Sequence, residues 1–190
     1  MVKCFDVIVV GAGPAGSAAA KIIAEGGAKV ALLERGIFPG AKNVSGAGLY
    51  DTALLEEIYP NFHKEAPVER YLTRKSLGFI TDQELMSINY QDNHKSAAPY
   101  SGYTVMRGKL DKWLAEKAVE KGAALFTETT VTDVIKKGRK VIGVIVNNNE
   151  RFLAPIVIAA DGFNSFIARA AGLKNEPEAH ETSIGAKEII

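Results

Sequence analysis

The sequence is poor in the residues on which several specialised protein classes depend. One cysteine in 190 residues, Cys4, excludes an internal disulfide and any cysteine-ligated zinc or iron–sulfur site built by this chain alone. Lys and Arg number 23 against 22 Asp and Glu, so the net charge of +1 lacks the basic excess of a general nucleic-acid binder. The apolar share of 47% and the charged share of 24% are those of a globular protein rather than a disordered one.

Long hydrophobic runs are also missing. The charge-free stretch Val7–Ala20 contains Pro14 and three glycines and is shorter than the roughly 18 apolar residues that a membrane span needs. Asp6 interrupts the apolar run near the N-terminus, which therefore does not resemble a secretory signal. We expect no transmembrane segment and, with cysteine so scarce, a cytoplasmic location.

The N-terminal third contains a β-α-β pattern. Phe5–Val10 (FDVIVV) is a short β-branched run typical of a parallel strand buried on both faces. Small and apolar residues then recur at helical spacing from Ala15 to Ile23, and Gly26 and Gly27 end the helix. A second strand follows at Lys29–Leu33. The pattern predicts an α/β, Rossmann-like fold.

The turn between the first strand and the helix has the spacing GxGxxG. Gly11 permits the tight turn, Gly13 leaves room for a pyrophosphate, and Gly16 lets the helix lie close to the strand. Pro14 suits an early helical position because no N–H is needed there. The helix N-terminus presents unpaired N–H groups and a partial positive charge to an anion.

An acidic residue, Glu34, ends the second strand, where it could accept hydrogen bonds from ribose hydroxyls and would repel a 2′-phosphate. The ligand expected here is an ADP-containing dinucleotide other than NADP. A structural β-α turn without a nucleotide is the alternative, and this motif alone does not distinguish NAD from FAD.

Three later features favour FAD. A long loop rich in Gly, Asn and Ser, Arg35–Gly48, follows the second strand. Arg107 precedes a helix near Lys109–Lys121, where a cation could meet the pyrophosphate, although a surface arginine is the alternative. Asp161 and Gly162 follow the apolar strand Pro155–Ala160, where the carboxylate could bind a ribose or ribityl hydroxyl or simply cap the next helix.

The remaining pattern predicts a helix with Asp51 as its N-cap, two strands in the middle of the chain, a β-meander, and a final helix ended by Gly172. In order, these elements cover Asp51–Ile58, Tyr71–Ile80, Glu84–Tyr90, Val131–Ile135, Val141–Val146, Arg151–Ala154 and Ser165–Ala171, with a polar loop at Gln91–Tyr100 and a further strand beginning in Ile184–Ile190.

Together these features resemble the FAD-dependent, glutathione-reductase-like flavoproteins of the aromatic-hydroxylase branch. Within that class the sequence resembles the FixC family, flavoproteins related to electron transfer flavoprotein–quinone oxidoreductase. The resemblance runs through essentially the whole chain and is carried by GAKNVSGAGLY (Gly40–Tyr50), APVERYLT (Ala66–Thr73), YTVMRGKLDKWLAEKAVEKGA (Tyr103–Ala123), ADGFNSFIARAAGL (Ala160–Leu173) and GAKEII (Gly185–Ile190).

The resemblance implies FAD as cofactor and a set of binding residues. The ADP half would be held by Gly11, Gly13, Pro14, Ala15, Gly16, Glu34 and Arg35, with Arg107 at the phosphates, Val131 beside adenine, Ala160, Asp161 and Gly162 in a second flavin-contact motif, and Asn43, Ser45 and Gly46 near the flavin ring. Ala47 stands where the family usually has a further glycine.

The resemblance also implies a domain organisation. Residues 1–62 and 101–175 would form the FAD-binding domain, with the meander at 131–154, and residues 63–100 and 181–190 would be parts of an incomplete substrate or quinone domain. Family members are more than twice as long, so we expect the C-terminal half of the family to be missing from this chain.

The implied activity is that of an FAD-dependent oxidoreductase that passes electrons from an electron transfer flavoprotein to quinone or to a ferredoxin-like protein. The inner face of the membrane is then a second candidate location for the full-length form, through peripheral contact. The alternatives are a geranylgeranyl-reductase-like flavoenzyme and a non-catalytic nucleotide-binding fragment. No side chain is assigned as a general acid or base, and no metal or nucleic acid is expected.

Overall fold

The structure is a computed structural model that describes residues 2–91, 102–147, 149–182 and 185. The described strands are β1 (Val2–Cys4), β2 (Val7–Val10), β3 (Val30–Leu33), β4 (Gly46–Leu49), β5 (Val68–Tyr71), β6 (Arg74–Ile80), β7 (Leu85–Gln91), β8 (Tyr103–Met106), β9 (Ala124–Phe126), β10 (Val131–Lys137), β11 (Lys140–Val146), β12 (Glu150–Leu153) and β13 (Ile156–Ala159). The described helices are α1 (Pro14–Glu25), α2 (Ala53–Ile58), α3 (Phe62–Glu65), α4 (Arg107–Glu120) and α5 (Phe166–Ala171), with a 3-10 turn at Ala179–Glu181. The predicted loop Gln91–Tyr100 beyond its first residue, and the predicted strand Ile184–Ile190 apart from Gly185, lie outside the described residues.

The chain divides by its contacts into two units, Met1–Ser45 with Arg107–Ile190, and Gly46–Met106. The predicted domain boundaries, after residues 62 and 100, stay a prediction. The assignment of the middle segment to a substrate or quinone domain stays a prediction.

A four-stranded parallel sheet in the order β13-β2-β3-β9 forms the centre of the first unit. Its strands are apolar runs, and every residue of β2 and β3 is buried. Helix α1 connects β2 to β3, which confirms the predicted β-α-β unit. The chain returns through α4 to β9 on one side and reaches β13, on the other side of β2, only after the meander.

Side chains alternate between the two faces of this sheet, as strand geometry requires, and each face carries its own core. Val7, Val9, Val30 and Leu32 pack on one face with alanines of α1 and α4. Ile8 and Leu33 are among the residues that pack on the other face, against Val144, Phe152 and Ile167. The first unit therefore has three layers: two helices, the parallel sheet, and a second sheet.

The second sheet has the order β1-β12-β11-β10 and contains the predicted meander. Its outer strand β1 pairs in parallel with β12 and was not predicted, because a three-residue strand gives no local pattern that reveals a distant partner. Phe5, Phe126 and Phe152 pack together beside it, with ring centroids 5.2–5.9 Å apart.

The second unit corrects three details of the prediction. The loop predicted for Arg35–Gly48 ends earlier, because Gly46 begins β4, which pairs with β8. The strand predicted for Tyr71–Ile80 is divided between β5 and β6, which belong to different sheets. Asp51 is not the N-cap of α2: Thr52 occupies that position, and the Asp51 carboxylate accepts a hydrogen bond from the Ala53 N–H at 2.9 Å.

Strands β6 and β7 form a two-stranded hairpin with two different faces. Leu77, Phe79, Met86 and Ile88 lie on one face and are each more than half exposed. The opposite face carries Ser76, whose hydroxyl donates to Asn89 at 2.6 Å. The same face also carries Ile80 and Leu85, which pair with each other near the turn and are 78% and 66% exposed. In the part of the chain that the structure describes, apolar side chains are therefore accessible on both faces of the hairpin.

Candidate cofactor site

Two of the three motif glycines are required by packing. Gly11 has φ +98°, and a Cβ there would lie 2.5 Å from the carbonyl oxygen of Ala160. A Cβ on Gly16 would overlap the carbonyl oxygen of Gly11. These two glycines let helix α1 and strand β13 approach the turn closely, as the sequence predicts.

Gly13 is different, because neither the backbone nor packing requires glycine there. Its φ of −76° and ψ of −176° are ordinary extended angles, and no atom outside its chain neighbours lies within 4 Å of where its Cβ would be. It is also the N-cap of α1, and its lack of a side chain leaves the helix N-terminus open. The structure therefore leaves clear space at the position where a pyrophosphate would approach.

The first turn of α1 is suited to an anion. Pro14 has no N–H, and the first intrahelical bond runs from the Ser17 N–H to the Gly13 carbonyl at 2.9 Å. The amides of Ala15 and Gly16 precede that bond, at positions where helix geometry provides no partner within the helix. The first turn carries no acidic residue that would compete with the anion.

Glu34 follows β3 directly and reaches back to the glycine turn. One carboxylate oxygen, Oε2, accepts the Ala12 N–H at 3.1 Å, and the other, Oε1, accepts the Gly36 N–H at 2.8 Å. The carboxylate is thus held beside Gly11–Gly13, and each oxygen retains further acceptor capacity for a sugar hydroxyl.

Ala160, Asp161 and Gly162 come to the other side of the same turn. The Ala160 N–H donates to Val10 at 2.9 Å, which places the end of β13 beside the end of β2. Asp161 Oδ2 accepts the Ile167 N–H in the first turn of α5 at 2.9 Å, so the carboxylate does serve that helix. Its second oxygen, Oδ1, accepts from none of the residues that the structure describes and is available for the hydroxyl contact that the sequence predicts.

Arg107, Asn43 and Ser45 form a second group around the start of α4. The Arg107 N–H donates to the Ser45 carbonyl at 3.2 Å. The Arg107 guanidinium and the Asn43 amide both bind Asp111, which the sequence reasoning did not single out. The signal that could have identified Asp111 is its spacing, four residues after Arg107 and therefore on the same side of the helix.

Both groups lie toward the same edge of the parallel sheet. Helices α1 and α4 pack on one face of the sheet, and Lys121, just after α4, pairs at 2.7 Å with Glu25, the last residue of α1. Each helix leads into a parallel strand, so their starts lie toward the carboxyl edge of the sheet. That edge, where the strand connections diverge, is the usual position of ligands in open α/β sheets.

The other predicted residues are more dispersed. Arg35 is exposed after Glu34, and Val131 begins β10 and packs partly buried against the second core. Gly46 belongs to the other contact unit, where it pairs with Met106. Among the described residues, no group of three or more His, Cys, Asp or Glu is placed to hold a metal ion. None of the described helices combines the length and apolar character of a membrane span.

Comparison with known proteins gives this site its context. A family model described as FAD dependent oxidoreductase matches residues 6–184. The chain belongs to the FAD-dependent oxidoreductase family. FAD is accordingly its cofactor, and the space at Gly13 together with the acceptors on either side of the turn fits that ligand. The predicted Rossmann-like fold is confirmed.

Curated relatives of this FAD-dependent oxidoreductase confirm the resemblance to FixC. The chain is 44% identical over 186 residues to Protein FixC of Salmonella typhi, covering 98% of this chain and 43% of the relative. It is 39% identical, with the same coverage, to "Probable electron transfer flavoprotein-quinone oxidoreductase YdiS" of Escherichia coli. The chain thus spans less than half the length of these relatives.

Solved structures agree on the fold. A geranylgeranyl bacteriochlorophyll reductase-like protein from Thermoplasma acidophilum has a TM-score of 0.77 and 33% identity, covering 92% of this chain and 43% of that one. The flavin-dependent brominase Bmp2 has a TM-score of 0.68 at 24% identity, covering 90% of this chain and 41% of that one, a likeness of fold alone.

Proposed function

We propose that this chain forms the FAD-binding part of an oxidoreductase that takes electrons from an electron transfer flavoprotein and passes them to a quinone. The observation that carries the FAD assignment is the clear space at Gly13, in the turn where Glu34 accepts from the Ala12 N–H and the Asp161 backbone lies beside Gly11. The direction of electron flow is supported by the similarity to FixC and YdiS. A ferredoxin-like acceptor remains an alternative to quinone within the same proposal.

In this proposal the side chains of the first unit bind and orient the cofactor. Amides of the α1 N-terminus bind the pyrophosphate, and the Arg107 guanidinium adds a cation at the phosphates. Glu34 accepts a ribose hydroxyl while it remains anchored to Ala12 and Gly36. Asp161 accepts a hydroxyl on the opposite side of the turn.

The remaining predicted residues would contact the two ends of the cofactor. Val131 would pack beside adenine, and Arg35 would lie near the ADP half. Asn43, Ser45 and Gly46 would lie near the flavin ring. Bound FAD supplies the electron-carrying isoalloxazine, and the protein contributes its position and electrostatic surroundings.

Cofactor content and electron transfer test the proposal separately. Purification from a flavin-replete host should give yellow protein that releases FAD rather than FMN or NAD. The protein carrying this chain should then be reduced by reduced electron transfer flavoprotein and reoxidised by a short-chain quinone, with ferredoxin as the comparison acceptor. Colourless protein that binds ADP but no FAD would contradict the proposal and favour a non-catalytic nucleotide-binding module.

A reductase acting on prenyl double bonds is the second candidate function. The geranylgeranyl bacteriochlorophyll reductase-like structure, with its TM-score of 0.77, favours it. A geranylgeranyl lipid and a quinone, supplied in parallel to the reduced flavoprotein, separate the two functions. If the lipid reoxidises the flavoprotein and the quinone does not, the proposed function changes from electron transfer to prenyl reduction. The proposed FAD site would stay the same.

A further inference from the structure

Among the described residues of the first unit, the most deeply buried charged group is the carboxylate of Asp111, in the second turn of α4. Asp111 is 1% exposed, whereas the Arg107 side chain that it contacts is 32% exposed. Arg107 Nε donates to Asp111 Oδ1 at 2.9 Å, and Arg107 Nη2 donates to Asp111 Oδ2 at 2.9 Å. One edge of the guanidinium is therefore fixed by a bidentate pair, the geometry that holds an arginine most firmly.

The same carboxylate also holds the loop that precedes the second unit. Asn43 Nδ2 donates to Asp111 Oδ2 at 2.7 Å, so Oδ2 accepts from both partners. The loop lies against the helix at this point, since a Cβ on Gly40 would come within 2.9 Å of the Asp111 Cβ and 3.1 Å of the Gly108 Cα. Asp111 thus joins two predicted cofactor residues that are 64 positions apart, Asn43 and Arg107.

The pair leaves the other edge of Arg107 available. A guanidinium has five N–H donors in a rigid plane, and Asp111 engages two of its nitrogens. No other described residue accepts from the guanidinium, so Nη1 and the second proton of Nη2 remain for another acceptor. A planar group fixed along one edge presents the opposite edge in a defined direction, and this is how an arginine recognises a phosphate with little loss of side-chain entropy.

From this geometry we propose that Asp111 is a positioning residue for the cofactor: it orients Arg107 toward the FAD phosphates and ties Asn43 to the same helix. The inference rests on the proposed role of Arg107. This positioning role of Asp111 differs from a role in neutralising the charge of Arg107. Removing a carboxylate beside Arg107 would strengthen the attraction for a diphosphate, whereas removing the fixed orientation weakens binding.

The two roles of Asp111 predict opposite changes in FAD affinity, so Asp111→Asn is the decisive variant. Asparagine keeps the shape and one acceptor oxygen but loses the charge and the bidentate pair. Titration calorimetry with FAD on the apo form of the chain should give a dissociation constant raised about threefold to tenfold, the range expected when a long side chain must be immobilised on binding. Loss of folded protein would lower the stoichiometry instead, so the two effects are measured separately.

A double-mutant cycle tests whether Asp111 acts through Arg107. Arg107→Ala should weaken FAD binding on its own, and Asp111→Asn added to it should change the dissociation constant less than about twofold. The matched control is Glu116→Gln on the same helix, because Glu116 pairs with Lys112 at the same four-residue spacing but is exposed. The control should bind FAD as the unmodified chain does.

The outcomes are distinguishable. If the unmodified chain binds no FAD, the proposed function fails. If it binds FAD but Arg107→Ala binds equally well, Arg107 does not contact the phosphates and the inference falls. Unchanged or tighter binding by Asp111→Asn, or a full further loss in the Arg107→Ala background, also overturns the positioning role.

Discussion

At the residue scale, Gly13 separates what the fold requires from what the ligand requires. Gly13→Val should lower the free energy of unfolding by only about 1 kcal/mol, the effect of a poor N-cap residue, because the backbone is extended and the space is open. The branched side chain would displace the pyrophosphate from the helix amides. With charged hydrogen bonds contributing ~1.5–3 kcal/mol each, loss of two should weaken FAD binding about 100-fold or more.

Calorimetric titration with FAD and thermal unfolding without it measure these two effects. Gly26→Ala is a suitable control, because Gly26 caps the other end of α1 with φ −74°. It adds a carbon to a glycine of the same helix, far from the proposed ligand. Unchanged FAD affinity in Gly13→Val would move the cofactor away from this turn.

Glu34→Gln is expected to act on both the ligand and the free protein. The Ala12 and Gly36 N–H groups bind different carboxylate oxygens, and a glutamine replaces one of these oxygens with an NH₂ that would face an N–H. We expect FAD binding to weaken about tenfold, the effect of losing one charge-assisted hydrogen bond, together with a lower unfolding temperature. Glu120→Gln, on the exposed side of α4, should change neither. Loss of stability without loss of affinity would reduce Glu34 to a structural residue.

At the element scale, helices α1 and α4 are joined at their C-terminal ends by one carboxylate. Glu25 pairs with Lys21 at 2.8 Å and with Lys121 at 2.7 Å, and these two cations lower its pKa from 4.5 to about 2. The folded state therefore favours the charged form. Its contribution to stability is fully present above pH 4.5 and disappears as the pH falls from 4.5 through 2.

Glu25→Gln should accordingly destabilise the protein at pH 7 and make little difference at pH 2. Urea unfolding at pH 7, 5, 3 and 2 measures the difference between the two forms, which should shrink steadily below pH 4.5. Glu116→Gln again provides the comparison, since its partner Lys112 is exposed and 3.9 Å away. A difference that is the same at all four pH values would mean that charge pairing is not the cause.

The elements also show why the sequence predicted some parts and not others. Strands β2 and β3 are continuous apolar runs, so local pattern identifies them, and a glycine motif marks the helix between them. Strands β4 and β8 were not predicted. The sequence of β4, GAGL, has almost no side-chain pattern, and its partner β8 lies more than 50 residues further along the chain. Helix α4 was predicted to begin two residues too late and to end one residue too late, since Arg107 begins it directly after β8.

The same reasoning applies to the candidate site. Glycine spacing and the acid after β3 predicted the group around Gly11–Gly13, which the structure brings together. Asp111 was not predicted because a buried carboxylate and an exposed one look alike in sequence. The packing of the Gly40 loop against α4 buries the Asp111 carboxylate, and this packing shows that other protein groups must pair with its charge.

At the scale of the whole molecule, the β6–β7 hairpin presents accessible apolar side chains. An accessible apolar face favours association between molecules. Leu77 and Ile88 face each other across the two strands and are 57% and 61% exposed. Replacing both with threonine, which keeps strand propensity, should shift concentrated protein toward the monomer in sedimentation experiments.

The control for this prediction lies on the opposite face of the same hairpin. Ser76→Thr with Ser87→Thr changes two residues of β6 and β7 without altering the face that carries Leu77 and Ile88. It should sediment as the original chain does. If the Leu77 and Ile88 replacements leave the association unchanged, another surface is responsible for it.

The strand order sets the earliest stage of synthesis at which the protein can bind FAD. The proposed cofactor site combines residues 11–16, 34 and 160–162. These residues come together only when β13 pairs with β2, and the meander separates the two strands along the chain. During synthesis β2 and the glycine turn after it leave the ribosome long before β13 has been made. One edge of β2 therefore stays unpaired until β13 has been synthesised, and the complete FAD site can form only after that point.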